Sequence, residues 1–293
     1  MPATLAACQA LVLKLQAAVA TAVLANLRVG AVCYREYQAA VVAVAATTTL
    51  NLTTETGASL DASTTIVDFA DTNATLPVDR LLADAGFFAT TVSAIGKKVA
   101  RILDAALLAK VTSFGTFFPL GSAGVSLTDA VALAAASQVL PVSPAGESVY
   151  FATYQANTGS DTNTYPYQQL LTMAALVSAS QSGEKVLRAV VLGGTLPVYR
   201  GMALIPSPDV LINGGGPSIV NNLVFAKNAL ALLTVQRPLT NDSTNVQGMS
   251  ELATLGVHIA LDYNSANTAQ VVHFQPRGVA IASRTSHGCQ VRS

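Results

Sequence analysis

Charge is what this 293-residue chain has least of. Asp, Glu, Lys and Arg make up 11% of its residues, against about a quarter in ordinary soluble proteins. Tryptophan is absent, and there are only three histidines and three cysteines. Each scarcity excludes something. Cys8, Cys33 and Cys289 are too few and too scattered for a disulfide framework, and no CxxC pair occurs, so a stapled secreted scaffold and a cysteine zinc site are both excluded. His258, His273 and His287 do not have metal-ligand spacing; the first two fall on neighbouring predicted strands with no third ligand in view. The 16 basic and 16 acidic residues cancel to zero formal charge, so nothing global marks nucleic-acid binding. Long apolar runs are missing too. Leu15 to Leu27 falls short of the roughly 20 residues that a spanning helix needs and is flanked by Lys14 and Arg28. Val111 to Thr128 is broken by glycine and proline. No membrane partner is expected. Lys14 also interrupts any signal-like stretch, so a chain made in a reducing cytoplasm is expected.

Catalytic signatures are equally scarce. Gly214, Gly215 and Gly216 lack the Lys-Ser/Thr and the strand-to-helix setting of a phosphate loop and read as a turn. Asp161 with Asp71 or Asp79 has no spacing that supports an acid–base pair. Cys33, beside Tyr34 and Arg35, reads as an idle thiol. No nucleophile elbow and no dinucleotide fingerprint occurs. We therefore expect no enzyme, no catalytic, cofactor-binding or metal-binding residues, and no cofactor.

What is present is apolar surface. Apolar residues reach 51% and the mean hydropathy is +0.47. A lone monomer of this composition would expose much weakly polar surface, which predicts association with other copies. Charge is also unevenly placed. Residues 36–79 carry Glu36, Glu55, Asp61, Asp68, Asp71 and Asp79 and no Lys or Arg, while the tail after Asp262 carries Arg277, Arg284 and Arg292 and no acid. Acidic and basic surfaces meeting between copies would account for this, and so would two ordinary solvated segments.

Along the chain, residues 3–28 are rich in Ala and Leu and predict an N-terminal helix. From about 35 to 79 Val, Thr and Ile dominate. The runs Val41–Val44 and Thr47–Thr54, a turn at Gly57–Asp61, and Thr64–Phe69 predict a long β-hairpin. A lone two-stranded hairpin is marginal in water, so this one must pack on its own domain or on a neighbouring molecule. Arg80 to Ser113 then shows apolar residues at Phe88, Val92, Ile95, Val99, Ile102, Ala106 and Leu107, one face of a helix about 40 Å long. Gly86 and Gly96 predict a kink or a later start. Ser126–Asp129 caps a helix over Ala130–Leu140, Ser148–Tyr154 is a strand, and Gln168–Ala179 is a further helix. Short strands follow at Ala189–Leu192, Leu196–Tyr199 and Met202–Ile205. Asn222–Val235 is strand-like, or a strand running into a short helix, and Gly256–Tyr263 with Thr268–Phe274 forms a closing hairpin. The class is α+β without a βαβ rhythm.

This order of elements resembles the Hong Kong 97 fold of tailed-bacteriophage major capsid proteins. Three stretches carry local likeness: Gly194–Pro206, Asn222–Ala231, and Gly256–Asn264 with Val271–Ala280. The resemblance covers roughly residues 35–285 and implies an α+β capsid fold with these parts: an N-terminal arm or helix (1–35), an extension-loop β-hairpin (36–79), a long spine helix with peripheral domain (80–119), an axial domain (120–225), and peripheral return strands with the C-terminal tail (226–293). It implies a non-enzymatic shell protein of the virion that assembles with itself, as pentamers and hexamers, into an icosahedral shell around double-stranded DNA. Portal, scaffolding and decoration proteins would be further partners, and Arg277, Arg284 or Arg292 would face the DNA. Some members cross-link through a lysine in the extension loop. This chain has no Lys between Lys14 and Lys97, so residues 36–79 cannot supply one. An encapsulin-type nanocompartment shell is the alternative with the same fold, and a small α+β enzyme is the alternative of a different class.

Overall fold

The computed structural model describes residues 5–38, 47–53, 59–65, 67–68, 72–118, 129–139, 148–154, 198–199, 201–213, 219–235, 245–250, 257–262 and 269–292. The helices are α1 (Leu5–Asn26), α2 (Val29–Val32), α3 (Val78–Ala83), α4 (Ala85–Leu108) and α5 (Asp129–Val139). The strands are β1 (Tyr34–Gln38), β2 (Thr47–Thr53), β3 (Ser59–Thr65), β4 (Val67–Asp68), β5 (Thr72–Pro77), β6 (Phe117–Phe118), β7 (Val149–Tyr154), β8 (Val198–Tyr199), β9 (Met202–Ser207), β10 (Ile212–Asn213), β11 (Ile219–Ala226), β12 (Leu230–Val235), β13 (Asn245–Ser250), β14 (Val257–Asp262), β15 (Ala269–Ala282) and β16 (Gly288–Arg292). The chain divides into two units. The first comprises residues 1–31, 35–106 and 232–280, and the second residues 32–34, 107–231 and 281–293.

In the first unit, Cys8, Leu11, Leu15, Val19 and Val23 recur one helical turn apart and bury one stripe of α1. The helix packs on α3, β13 and β14. Lys14 does not end the helix: its ammonium lies 4.3 Å from the Phe88 ring centroid, a cation–π contact. The helix predicted over Arg80–Ser113 is divided at Asp84, not at Gly86. Asp84 is extended, and its Oδ1 accepts a hydrogen bond of 2.9 Å from the Phe87 N–H at the start of α4. Such a carboxylate satisfies a helix's unpaired first-turn amides. The Phe87 amide chiefly, with Gly86 and Arg80 adding to it, holds this carboxyl below its ordinary range. A 3₁₀ turn over Ala109–Ser113 ends the helix.

Two close approaches set the packing of this unit. Gly96 of α4 is buried, and a Cβ there would collide with the Cβ of Ala22 on α1. Gly278 on β15 is tighter still, because a Cβ would collide with the Leu233 carbonyl oxygen of β12. The buried carboxylate of Asp104 on α4 accepts two backbone hydrogen bonds, from Arg28 at 2.9 Å and Gly30 at 2.8 Å. The turn leaving α1 is thereby satisfied away from water. The sheet runs β1-β12-β15-β14-β13, with β4 and β5 also paired to β15. β14 and β15 are antiparallel, Val257 opposite Pro276 through Leu261 opposite Val272, which is the expected closing hairpin extended well past Phe274.

The second unit holds a mixed sheet, β6-β16-β11-β7-β9-β8, with β10 on β11. β7 and β9 are parallel, as are β6 and β16. Ala135, Ala136 and Val139 of α5 close its core over Val149, Phe151, Met202, Leu204, Val224 and Val291. Two buried side-chain amides here have backbone partners. The Asn222 side chain accepts from the Tyr154 N–H at 2.9 Å and donates to the Val291 carbonyl at 3.0 Å. Gln290 donates to the Phe114 carbonyl at 2.5 Å. The stretch Asn222–Val235 resolves into β11, a 3₁₀ turn at Lys227–Ala229 and β12. β16, near the C-terminus, pairs antiparallel with β11 in this second sheet. The expected helix Gln168–Ala179, strand Ala189–Leu192 and loop Gly159–Tyr165 lie outside the described residues.

Two predictions follow from the packing. Gly278→Ala should lower the stability of the unassembled chain by roughly 2–3 kcal/mol, the cost of forcing a methyl into a filled site. Gly115→Ala, whose added Cβ meets nothing within 4 Å, should leave the urea midpoint unchanged; equal midpoints for the two variants would refute the close approach. Second, all three thiols are buried. Burial pushes Cys289 up to about 12 from 9.0, so its protonated form contributes stability that is intact below pH 9.0 and lost as pH rises through about 12. At pH 8 a maleimide should label no thiol in the folded protein and all three in denaturant, counted by intact mass; rapid labelling of Cys289 in the folded chain would contradict its burial.

Candidate assembly surface

Threonine carries the described arm. β2 and β3 pair antiparallel with Thr47 opposite Thr65, Thr48 opposite Thr64, Leu50 opposite Ala62, Leu52 opposite Leu60 and Thr53 opposite Ser59. Cross-strand threonine pairs favour strands, but this ribbon has few apolar residues with which to build a core. Among the described residues it forms a sheet of two strands and pairs with no third. The second strand begins at Ser59, inside the predicted turn. The turn residues 54–58 and the run Val41–Val44 lie outside the described residues.

The arm's return leads into β4 and β5, both laid along β15. Asp68 is opposite Arg277 and Val67 opposite Gly278, and then Thr72 is opposite Phe274 through Pro77 opposite Ala269. The acidic segment and the basic tail therefore meet within one chain at Asp68 and Arg277. Arg277 is 5% exposed, which corrects the expectation that it faces DNA. A buried guanidinium belongs with a partner, and the register supplies an acid opposite it. Arg284 and Arg292 lie in the second unit and are half-buried. The Arg292 guanidinium donates to the Gln290 side chain at 3.4 Å. Desolvation, followed by the charge of Arg284, lowers the pKa of His287.

Two surfaces of the first unit stand out. Lys97, Lys98 and Arg101 are exposed on α4, whose one carboxylate, Asp104, is buried. Leu13 on α1 is 67% exposed and Leu82 on α3 is 41% exposed, on two helices in contact. Sequence reasoning had not singled out either leucine. By length and composition α1 is apolar enough over Ala6–Asn26 to cross a membrane. That corrects the expectation of a run too short to do so, because Lys14 lies within the helix instead of ending it.

The remaining sequence candidates do not converge. His258 is opposite Gln275 and His273 opposite Ala260 on β14 and β15. Among the described residues no group of three or more His, Cys, Asp or Glu is placed to hold a metal. Cys33 is buried and Asp79 half-buried. Asp71, Asp161 and Gly214–Gly216 lie outside the described residues.

No family model and no curated protein matches the sequence. Solved structures do match the fold. The virus-like particle from Pyrococcus furiosus is 12% identical with a TM-score of 0.51, covering 95% of this chain and 98% of that one. Bacteriophage PhiM1 mature capsid is 12% identical with a TM-score of 0.50, covering 91% and 87%. The capsid of the native GTA particle is 13% identical with a TM-score of 0.50, covering 93% and 90%. With its mixture of helices and sheets, the chain shares the α+β fold of these structures.

Proposed function

We propose that this chain is the major capsid protein of a tailed bacteriophage, a non-enzymatic subunit that assembles into an icosahedral shell around double-stranded DNA. The observation that carries the reading is the arm: β2 and β3 pair with each other and, among the described residues, with no third strand. A two-stranded ribbon so poor in apolar residues gains stability when it is laid on another surface, and a neighbouring copy offers one. Low charge supports the same reading, since a shell covers much of each subunit. Several neighbours together would bury more than a standard interface of about 1,600 Å². Residues 36–79 then act as the extension loop, α4 as the spine helix, residues 120–225 as the axial domain, and the return strands with the first sheet as the peripheral domain. Portal, scaffolding and decoration proteins would complete the particle, made in the host cytoplasm.

A nanocompartment shell is the second reading, favoured by the near-complete mutual coverage with the Pyrococcus furiosus particle. The contents of purified particles distinguish the two: nuclease-protected genome-length DNA supports the phage head, and its absence from particles made during infection removes it.

Deleting residues 47–65, which spares the pairing of β4 with β15, should leave a folded protein, with a melting temperature within a few degrees of the full chain, that elutes as subunits and shows no shells in negative stain. Closed shells from that variant would overturn the arm assignment. DNA would be held through phosphates without base reading, by Arg284 and Arg292 of the tail. Replacing both with glutamine should lower packaged DNA per particle; unchanged packaging would remove these two residues from that role.

A further inference from the structure

We propose that the corner where two short turns of the second unit meet is a phosphate-binding site, built by Lys227, Arg284, Thr285 and Ser286, that takes the phosphodiester backbone of nucleic acid. It rests on the shell reading above for the source of that backbone, and it gives Arg284 the neighbours that make a site around it. The turns are Lys227–Ala229, which follows β11, and Thr285–His287, which precedes β16. Backbone hydrogen bonds clasp them together: the Ser283 and Arg284 N–H groups both donate to the Ala229 carbonyl, at 2.9 and 3.4 Å. β11 and β16 pair antiparallel with Phe225 opposite Gly288. Lys227 follows that pair on one strand and Ser286 precedes it on the other, so both turns sit at the same end of the two strands.

Charge at this corner has one sign. Lys227, Thr285 and Ser286 are exposed, and Arg284 and His287 are half-buried. Residues 210–241 and 263–293 contain no Asp or Glu, so neither turn carries an acid, and nor do the strands that join them. Among the described residues neither Lys227 nor Arg284 has an acid within ion-pairing distance. The charge of Arg284 is felt locally: desolvation first, and then this guanidinium, lower the pKa of His287, whose N–H donates to the Arg284 carbonyl at 3.0 Å. An arginine drawn partly out of water normally has an anionic or carbonyl partner; this corner leaves that place to a ligand. A guanidinium, an ammonium and two hydroxyls are donors suited to phosphate oxygens, and the guanidinium can meet them bidentately. Lys227 and Arg284 stand on separate turns, so successive phosphates of one backbone can engage both, which a single carboxylate cannot do.

The test uses the full chain, diluted so that it remains as subunits, with a short fluorescent DNA duplex as the probe, read by anisotropy. K227Q/R284Q should weaken binding by roughly tenfold at low salt and reduce the salt slope by about two, one for each lost phosphate contact. K97Q/K98Q removes the same charge from exposed positions of α4 and should change binding little; equal losses from the two variants would leave only bulk charge and overturn the site. Circular dichroism checks folding. Should K227Q/R284Q fail to fold, the unaltered chain still decides, with the His287 imidazole as an NMR reporter assigned by His287→Gln. A phosphate beside Arg284 offsets its charge and should raise the His287 pKa back toward the ordinary histidine value; duplex binding that leaves this titration unmoved overturns the proposal. If inorganic phosphate moves it and the duplex does not, the corner serves a free anion, which overturns the nucleic-acid assignment. Failure of this site beside shells full of protected DNA leaves the shell reading intact, whereas a chain that forms no shells removes that reading whatever the duplex does.

Discussion

Strand β15 is the constraint on which the first unit depends. Its 14 residues take hydrogen bonds from β14, β12, β5 and β4, so strands far apart in sequence are held on one backbone. Such non-local pairing carries a high loop-closure cost, and it holds only if the strands can approach fully. Gly278 meets that requirement at the tightest point, where the Leu233 carbonyl leaves no room for a side chain. Three residues later the chain has left this unit for the second. The pairings of β4 and β12 with β15 therefore depend on the same few residues of this unit.

The shortage of charge shapes how polar groups are managed elsewhere. Asp104 is buried, and its oxygens take backbone amides 74 and 76 residues away in sequence. A carboxylate that takes these two amides acts as a staple between α4 and the turn after α1. The exposed Leu13 and Leu82 on neighbouring helices belong to the same economy. A chain with so little charge presents methyl groups where another protein would present ions, and such surface favours association.

Much of the fold was legible because its long elements are strongly patterned. The stripe from Phe88 to Leu107 predicted α4, and the apolar recurrence in residues 3–28 predicted α1. The Thr-rich runs predicted the ribbon, although β3 starts five residues before the expected Thr64. What escaped was physically quiet in sequence. β13 reads Asn-Val-Gln-Gly-Met-Ser, which does not alternate, and β16 reads Gly-Cys-Gln-Val-Arg, which alternates over only four residues; both owe their extended form to neighbouring strands. The division of the long helix fell at Asp84, because side-chain capping outweighed the glycine two residues later. The candidate surface was half legible. The arm could be placed from composition, but arginine is normally a surface residue, so nothing in the sequence marked Arg277 as buried across from Asp68.

The buried amides of the second unit have a wider consequence. Among its described residues the buried polar side chains are Thr153, Ser207, Asn221, Asn222 and Gln290, and none of these gains or loses a proton in water. Cys289, a fully buried thiol of this unit, is held protonated to about 12. A sheet knitted by neutral donors and acceptors owes nothing to ion atmosphere or acidity. Its interior should pass unaltered from brine to fresh water and from mild acid to mild alkali, so that any sensitivity of the whole to its medium must originate at the surface.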